Sequence, residues 1–447
     1  MPTCIDSPPT ILSAPWREPV EVLAAFADEP WAVALLSDGS GERGRWSYLA
    51  RRASETLVIS ANDLRDPFAA LAALIGPRRD IHPDGPPFQG GVVGLAAYEL
   101  GDRVEPLGLG RMPGWPDLAT ARYDTLLAFD HERREVLAIA PNEAVARATL
   151  DWMNDAARPP RPGRLACDVA IPDPADHEAA VADVVARIAA GEIFQANIAR
   201  AWTGRLVTGA RPVDLALRLA DASPAPFAAY LRLPGLALVS NSPERFLRVR
   251  PQGATLVAET RPIKGTVPRG ATPAEDACLA AQLAASVKDR AENLMIVDLM
   301  RNDLARVSTP GTVRVPELFA VEQFANVSHL VSTVTATLAP GRTAVDLLAA
   351  ACPPGSITGA PKVQAMKVIA GHEPPRGPFF GSMFWAGFDG ALDSSVLIRT
   401  AAFTEDAAGW RFEARAGGGV VADSDPVAER LETEAKISAL LAALALP

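Results

Sequence analysis

The chain has 447 residues, of which 49% are hydrophobic, enough for a substantial core in two or three domains or in one large domain with a second lobe. Its formal charge of −10, with no block of basic residues, excludes the electrostatic attraction that nucleic-acid-binding and membrane-surface proteins use. We therefore expect no nucleic acid and no membrane among its partners.

Targeting signals and cysteine motifs are missing from the sequence. The N-terminus lacks charged and apolar signal regions, and no apolar run reaches the roughly 18 residues of a membrane span. Cys4, Cys167, Cys278 and Cys352 have neither CxxC nor zinc-ligand spacing, so we expect reduced thiols. These features predict a cytoplasmic protein.

In chain order, the first predicted elements are short strands separated by Pro, Gly and Asp turns. Residues 31–36 form one such strand, and residues 142–157 have the pattern of a helix. An Arg/Pro-rich stretch at 158–164 follows and is typical of a connection between lobes. The sequence therefore predicts one lobe over residues 1–160 and a second over residues 165–447.

The second segment begins with a predicted helix at residues 174–190. Strand-like runs and then longer helical patterns follow: strands at 227–233, 236–240 and 245–249, and helices at 274–300, 362–370 and 426–444. Strands and helices come in separate groups and do not alternate as a doubly wound sheet requires. We therefore expect an α+β fold.

Lys264 lies in the run RPIKGT at residues 261–266. Proline restricts the backbone before the lysine and glycine lets it approach a ligand, so we expect a braced turn that presents the ammonium group. Burial or a neighbouring cation would lower the pKa of such a lysine and make it a nucleophile. A surface lysine in a Pro-Gly turn is the competing interpretation.

Two predicted helices each carry two carboxylates three residues apart: Asp289 with Glu292, and Glu429 with Glu432. Residues with this spacing share one helix face, so four acids converge if the two faces meet. Hard oxygen ligands of this kind suit Mg²⁺. The alternative is two solvated faces, on which Lys288 pairs with Glu292 and Lys436 pairs with Glu432.

A segment of small residues, 355–362, leads directly into a predicted helix. Its free N–H groups would favour a carboxylate or a phosphate. It lacks the GxxxxGK[ST] pattern of a P-loop, which disfavours a nucleotide hydrolase. A second segment, the glycine-rich residues 416–421, is a candidate for flexible backbone against a ligand or for a tight strand turn.

Arg399 and His329 each lie among apolar neighbours in strand-like runs. A buried arginine needs a carboxylate, which either the protein or a ligand can supply. A lone histidine in such a run is either a core residue or a catalyst. No Ser/His/Asp or Cys/His signature is present, so the sequence does not support a hydrolase.

Taken together and in order, these segments resemble the chorismate-utilising enzymes. The similarity covers most of the chain and rests on these motifs: PFQGGVVGLAAYELG (87–101), GEIFQANIAR (191–200), SPERF (242–246), RPIKGT (261–266), DRAENLMIVDLMRNDLARV (289–307), PPGSITGAPKVQAMKVI (353–369), LIRTA (397–401), AGGGVVADS (416–424) and ETEAK (432–436). The motifs are specific because they occur in this order along one chain.

The resemblance implies a fold in which two antiparallel β-sheets pack orthogonally and are flanked by helices, with a site for chorismate and Mg²⁺ between them. Residues 1–160 would then be a lobe like that of anthranilate synthase component I, and residues 165–447 the chorismate-binding catalytic lobe. It also implies that Glu292 and Glu432 bind the metal directly, with the water-holding carboxylates on the same two helices: Asp289 and Glu429.

The same resemblance implies a set of substrate contacts. Arg399 would bind the enolpyruvyl carboxylate, and His329 would lie beside the ring near the leaving group. The ring carboxylate would meet the backbone of two segments: Thr358 with Gly359, and Gly417, Gly418 with Gly419. Further substrate-binding positions complete the set: Gly265, Thr266, Gln195, Lys436 and Trp385. Trp385 stands where family members often have a tyrosine.

Position 264 separates branches of the family. Aminodeoxychorismate synthases resemble this chain in having lysine there, whereas anthranilate synthases have a residue that looks like alanine. The Lys264 amine would attack C2 while the hydroxyl leaves C4 with help from Mg²⁺, and ammonia would then enter at C4. Glu244 resembles the family's acid/base group, and Gln195 disfavours water as the nucleophile because isochorismate and salicylate synthases have a lysine there.

The resemblance therefore implies the component I branch of aminodeoxychorismate synthases, which supplies 4-amino-4-deoxychorismate for 4-aminobenzoate and folate. We expect a separate glutamine amidotransferase subunit to provide ammonia, since the sequence ends soon after Lys436. Anthranilate synthase component I is the alternative within the family. A non-catalytic metabolite-binding regulatory protein and a generic Mg²⁺-dependent phosphate enzyme are the alternatives of other classes.

Overall fold

The computed structural model describes residues 8–156, 163–323 and 327–445. Its strands, in chain order, are β1 (Thr10–Pro15), β2 (Val33–Leu36), β3 (Trp46–Ala50), β4 (Glu55–Ile59), β5 (Gly91–Ala96), β6 (Leu118–Tyr123), β7 (Leu126–Asp130), β8 (Glu135–Ala140), β9 (Ala166–Ala170), β10 (Gln195–Leu206), β11 (Phe227–Leu233), β12 (Leu236–Ser242), β13 (Arg245–Gln252), β14 (Thr255–Thr260), β15 (Ile263–Pro268), β16 (Arg314–Gln323), β17 (Val327–Thr337), β18 (Gly359–Ala360), β19 (Ser382–Gly387), β20 (Leu392–Val396), β21 (Thr400–Asp406) and β22 (Gly409–Val420).

The α-helices are α1 (Pro19–Ala24), α2 (Gly41–Gly44), α3 (Pro67–Ile75), α4 (Glu143–Leu150), α5 (Pro174–Ala189), α6 (Pro212–Ala222), α7 (Pro273–Ala285), α8 (Val287–Ala305), α9 (Ala344–Ala351), α10 (Lys362–His372) and α11 (Pro426–Ala445). Short 3₁₀ turns lie at Tyr98–Arg103, Asp151–Met153 and Gly355–Ile357. No helix in the described ranges combines the length and the apolar character that a membrane crossing requires.

The strands form two antiparallel sheets. The first sheet has the order β1-β8-β7-β3-β2-β11-β12-β21-β22-β10-β18, and β9 pairs with β10 at its edge. The second has the order β15-β17-β14-β13-β20-β19-β5-β6-β4, and β16 pairs with β17. Neighbouring strands run antiparallel in both sheets. The predicted α+β class with two antiparallel sheets is confirmed.

The largest hydrophobic core lies between the two sheets. It contains buried residues from the first sheet, such as Val33 and Leu238, together with residues from the second, such as Leu95 and Phe384. A second core covers the outer face of the first sheet, where α1, α6 and α11 pack. Each sheet is therefore covered by apolar contacts, which fixes the strands whose ends form the site.

Both sheets combine strands from the two predicted lobes. In the first sheet β2 pairs with β11, and in the second β5 pairs with β19. The predicted connection at 158–164 falls mostly outside the described residues, as does Cys4. The division of the chain at residue 160 stays a prediction, but the segments on its two sides share both sheets and the core between them.

Most predicted helices and strands occur with small changes at their ends, but one predicted helix is divided in two. The sequence predicted a single helix over residues 274–300, whereas the structure has two helices, α7 and α8, that meet at Ser286. Ser286 has extended backbone (φ −62°, ψ 112°), and its Oγ accepts a hydrogen bond from the N–H of Asp289 at 3.2 Å. This N-cap starts a new helix, and it sets the direction in which the acids of α8 point.

Candidate active site

A cavity of about 620 Å³ collects most of the residues that the sequence singled out. It is lined by β15, β17, β22, α8 and α11, and by the loops that precede β13, α10 and β21. Its lining includes the following predicted site residues: Glu244, Lys264, Gly265, Thr266, Asp289, Glu292, His329, Arg399, Gly417, Gly419, Glu429, Glu432 and Lys436. A possible nucleophile, acid groups and cationic groups therefore face the same space.

Lys264 lies in a strand, so the predicted turn was wrong. It is the second residue of β15 and pairs with Leu330, while Thr266 pairs with the adjacent His329, which leaves Gly265 as an extra residue in the ladder. Gly265 has a φ of 78°, and a Cβ there would lie 2.9 Å from Cγ of Asp289. This β-bulge needs glycine and brings the backbone next to Lys264 against α8.

The cavity lowers the pKa of Lys264 below its usual value. Removal of the ammonium group from bulk water is the main cause, and Lys436 adds to it. The carboxylates of Glu292, Glu244 and Glu432 oppose the shift. The net direction increases the fraction of free amine, the form that acts as a nucleophile.

Glu244 faces Lys264 from the loop between β12 and β13. Only 9% of its surface is exposed, and this burial raises the pKa of its carboxyl group. A hydrogen bond from the side chain of Ser356 and the positive charge of Lys264 act in the opposite direction. A carboxyl group with a raised pKa next to an amine is suited to give and take a proton.

The acids of α8 and α11 meet at the cavity, as the convergent interpretation predicted. Burial is the main cause that raises the pKa of Glu292 and of Glu429, and neighbouring carboxylates add to it. Partial burial also acts to raise the pKa of Glu432. The positive charges of Lys436, Lys264 and Lys288 outweigh it, so the pKa of Glu432 is lowered. Glu429 also accepts a hydrogen bond from Ser424 Oγ at 2.6 Å.

The two ion pairs that were expected for separate, solvated helix faces are present as well. Lys436 Nζ lies 2.5 Å from Glu432 Oε1, and Lys288 Nζ lies 3.9 Å from Glu292 Oε1. These pairs border the cavity, so the carboxylates are both paired and convergent. In the described part of the chain, no group of three or more His, Cys, Asp or Glu side chains is arranged to hold a metal ion.

The donors nevertheless fit Mg²⁺ by type and by convergence. A Cβ placed on Gly418 would lie 2.7 Å from Glu429 Oε2 and 3.9 Å from Glu432 Oε1, so two carboxylates of α11 reach the same point of β22. Carboxylate oxygens next to a polar cavity are the ligands that Mg²⁺ prefers. Glu292 and Asp289 line the same cavity from α8.

The glycines at 417–419 are part of a strand, which corrects the expected flexible segment or turn. They lie in β22 and pair with residues 197–199 of β10. None of them has a positive φ, so they are not needed for a turn. Side chains crowd each position instead: a Cβ on Gly417 would lie 2.7 Å from Oδ1 of Asn197, and one on Gly419 would lie 2.3 Å from Nε2 of Gln195.

Arg399 was expected in a strand but lies directly before β21 with a φ of 51°. This left-handed backbone costs on the order of 1 kcal/mol for a residue with a Cβ, and such strain is concentrated at functional sites. Arg399 lines the cavity, and its guanidinium makes no hydrogen bond or ion pair with any of the described residues. An arginine held in this way is suited to bind the carboxylate of a ligand.

His329 lies on β17 directly opposite Thr266, and its Nδ1 is 2.8 Å from Thr266 Oγ1. Burial, with a smaller contribution from the charge of Arg399, lowers the pKa of His329 to about 4. The imidazole is therefore neutral at pH 7. It faces the cavity, so it is not only a core residue.

Trp385, which was expected to contact substrate, is not among the residues that line this cavity. It lies on β19 in a different cavity of about 400 Å³, where its ring packs against Phe88 with a centroid distance of 5.0 Å. Residues of a strand alternate between its two faces, and Trp385 points to the face occupied by this second cavity. Phe380, which directly precedes the Gly381 before β19, does line the main cavity.

Thr358, Gly359, Gly418 and Gln195 lie behind the lining residues of the cavity. The hydroxyl of Thr358 is fully buried and donates to the carbonyl groups of the turn that carries it. A Cβ on Gly359 would lie 2.1 Å from the carbonyl oxygen of Gln195, so this glycine permits a close approach of two strands. Ser356 of the same turn faces the cavity instead.

Residues 33–442 match the family described as chorismate binding enzyme. The chain is a member of this family. An aminodeoxychorismate synthase component 1 of Salmonella typhimurium is 40% identical over 97% of this chain and 98% of its own length. An anthranilate synthase component 1 of Streptomyces coelicolor is also 40% identical, over 95% of this chain and 86% of its own length.

Solved structures agree with this assignment. Anthranilate synthase component I from Streptococcus pneumoniae has a TM-score of 0.77 and 26% sequence identity, covering 89% of this chain and 92% of its own. The resemblance to chorismate-utilising enzymes is thereby confirmed. Because relatives with two different names have the same identity, these comparisons show an enzyme of the chorismate-binding family and leave its product open.

Asn197 is a polar residue of the main cavity that the sequence analysis missed. It lines the cavity, and its buried Oδ1 has no hydrogen-bond partner among the described residues. The Nε2 of Gln195, two residues earlier on the same strand, is also buried and unpartnered there. Alternation along β10 places both side chains on one face, and this was the signal available in the sequence.

Arg376 supports the site from behind and was also missed. Its guanidinium is almost fully buried and donates to Glu373, to the carbonyl of Ile357 at 3.0 Å and to the carbonyl of Asn197 at 2.7 Å. Ile357 and Asn197 belong to two different walls of the cavity. The buried arginine therefore fixes these walls relative to each other through charge-assisted hydrogen bonds.

Proposed function

We propose that this protein is component I of an aminodeoxychorismate synthase, which converts chorismate and ammonia to 4-amino-4-deoxychorismate. The observation that carries the proposal is Lys264, whose side chain faces the cavity with a lowered pKa beside Glu244. A free amine at this position is the group that separates the two amine-transferring branches of the family. The product would supply 4-aminobenzoate and folate synthesis.

Lys264 and Glu244 divide the work of the reaction. The Lys264 amine adds to C2 of chorismate, both conjugated ring double bonds shift, and the C4 hydroxyl leaves as water after accepting a proton. Glu244, whose pKa is raised by burial, is the group that supplies this proton. Ammonia then adds at C4, both double bonds shift back, and the C2–N bond to Lys264 breaks, which regenerates the free amine.

Four carboxylates would hold the metal: Glu292 and Glu432 directly, and Asp289 and Glu429 through water. When bound there, Mg²⁺ would act as a Lewis acid on the departing hydroxyl group. The chain's other groups bind and orient the substrate. Arg399 pairs with the enolpyruvyl carboxylate, and neutral His329 lies beside the ring without adding charge.

Ammonia would come from a glutamine amidotransferase subunit. The relatives named component 1 support this partner, because such a name implies a second component. Free ammonia at alkaline pH would replace the partner in an assay. The component can therefore be tested alone.

Anthranilate synthase component I is the second candidate function. The relatives from Streptomyces coelicolor and Thermus thermophilus carry that name at 40% and 37% identity. The two activities share chorismate and differ in the position that receives nitrogen. Lys264 favours C4, since it would occupy C2 while ammonia attacks.

The test is the identity of the product that the purified chain forms from chorismate, MgCl₂ and ammonium at pH 8.5. We expect 4-amino-4-deoxychorismate, detected by mass and as 4-aminobenzoate after a lyase is added. For Lys264→Ala we expect this product to fall by at least about a hundredfold, as for loss of a covalent nucleophile. Anthranilate as the main product of the wild type would contradict the proposal, and no turnover with the amidotransferase present would favour a regulatory protein.

A further inference from the structure

Three of the five lysines in the whole chain line the main cavity of about 620 Å³: Lys264, Lys288 and Lys436. The chain has 43 basic residues, so lysine is rare elsewhere and arginine is the common surface cation. An ammonium group is a compact charge on a flexible stem, whereas a guanidinium is a planar fork. A cation that must move between partners over a short distance is better made from lysine.

Lys436 holds two partners at the same time. Its Nζ lies 2.5 Å from Glu432 Oε1 and donates a hydrogen bond to the carbonyl oxygen of Gly417 at 2.9 Å. The side chains of Lys436 and Glu432 are 40% and 52% exposed, so their contact can break without leaving a buried unpaired charge. The bond to Gly417 lies next to Gly419, which adjoins Lys264.

Glu432 cannot serve Lys436 and a metal ion with the same oxygen. A Mg²⁺ ion binds carboxylate oxygen at roughly 2.1 Å, and an ammonium group at its present distance would be close enough for strong repulsion. The hydrogen bond to Gly417 does not depend on Glu432. Metal binding would therefore break the contact of the Lys436 ammonium group with Glu432 and keep its hydrogen bond to Gly417.

We propose that Lys436 is an exchangeable internal cation that occupies Glu432 in the absence of metal and turns to a carboxylate of the substrate when metal binds. The inference rests on the proposed function, because it takes Glu432 as a metal ligand and a carboxylate as the substrate group. It goes further in making one side chain the link between two binding events. Metal and substrate then strengthen each other's binding by one common factor, as linkage requires.

The matched control is Lys288. It lines the same cavity and carries the same charge, but it lies 3.9 Å from Glu292 and its side chain is 57% exposed. Replacing either lysine by glutamine removes one positive charge near the four acids. Any difference between the variants therefore reports the direct contact of Lys436 and not the general charge of the cavity.

The experiment is a calorimetric titration of MgCl₂ into the metal-free full-length chain, with and without chorismate, in a buffer without ammonium. For the wild type we expect chorismate to strengthen Mg²⁺ binding about tenfold, within the usual range of coupling between sites. Lys436→Gln should bind Mg²⁺ about tenfold more tightly than the wild type when chorismate is absent, and chorismate should strengthen this binding clearly less than it does in the wild type. Lys288→Gln should gain about twofold and keep the coupling.

Two results would overturn the inference. One is a folded Lys436→Gln variant that binds Mg²⁺ no more tightly than the wild type, and the other is coupling in this variant that is as strong as in the wild type. Should its melting temperature fall sharply, Lys436→Arg provides the second test, because it keeps the charge but should lose most of the coupling. A wild type that binds no Mg²⁺ would overturn the proposed metal site as well, whereas the other results leave the proposed function intact.

Discussion

Gly419 gives Lys264 the space that it occupies. A Cβ placed on Gly419 would lie 3.4 Å from Lys264 Nζ and 2.3 Å from Nε2 of Gln195. The second distance is shorter than any normal contact, so any side chain at position 419 would displace Gln195 and would itself lie against the lysine. Lys264 and the missing side chain on the neighbouring sheet are therefore parts of one arrangement.

Gly419→Ala should reduce turnover strongly while the protein stays folded. The added methyl group displaces Gln195 and crowds the Lys264 amine, and misplacement of a reacting group by about 1 Å can cost about a hundredfold in rate. Gly371→Ala in α10 is the matched control, because a Cβ there would meet nothing within 4 Å. It should be neutral or stabilise by about 0.5–1 kcal/mol. Steady-state rates measure the loss of turnover, and melting curves show whether each variant is folded. Equal rates for both variants would contradict the prediction.

The Lys264 amine should titrate below the usual lysine pKa. The chain has only five lysines, so reductive ¹³C-methylation gives a simple NMR spectrum, and the signal missing in Lys264→Ala identifies the residue. Among neighbouring groups, Glu292 contributes most to raising this pKa. Glu292→Gln should therefore move the midpoint to lower pH in the metal-free protein. A shift to higher pH, or none, would show that the two groups do not interact.

Trp385→Phe should leave the KM for chorismate within about twofold of the wild type, because Trp385 lies in the other cavity. Loss of the larger ring from its packing on Phe88 should lower the free energy of unfolding by about 1–3 kcal/mol. Arg399→Gln is the contrasting variant and should raise KM, since it removes a charged fork from the substrate cavity. A raised KM for Trp385→Phe with normal stability would restore its predicted role.

His329 should make the protein less stable as the pH falls from 7 toward 4. Its pKa is about 4 in the folded chain and near 6.5 when unfolded, so the unfolded state binds more protons in this interval and gains stability from them. The His329→Gln variant lacks this titrating group, so it lacks this pH-dependent part of the unfolding free energy. The loss of unfolding free energy between pH 7 and pH 5 should therefore be smaller than in the wild type, by about 2 kcal/mol. Identical pH slopes would contradict it.

The sequence predicted best where a pattern is local. The spacing of Asp289 with Glu292 and of Glu429 with Glu432 was enough to place each pair on one helix face, because helix geometry depends only on neighbours along the chain. Whether the two faces meet depends on packing over more than a hundred residues. The resemblance supplied that information, and spacing alone did not.

The errors have one common cause, which is tertiary pairing. RPIKGT has the composition of a turn, but β17 supplies hydrogen-bond partners that keep Lys264 in a strand with a bulge at Gly265. The glycines at 417–419 also look flexible in isolation, yet pairing with β10 holds them extended. The sequence of a strand does not indicate which of its faces meets which cavity, so the position of Trp385 beside the second cavity was not predictable.

The two mixed sheets have a consequence for any attempt to divide this protein. Separation of the chain near residue 160 would leave β2 without β11 and β5 without β19, so each half would display unpaired strand edges from both sheets. Open edges of this kind associate with other strands. We therefore expect halves produced separately to aggregate, whereas halves produced together would have complementary edges to pair.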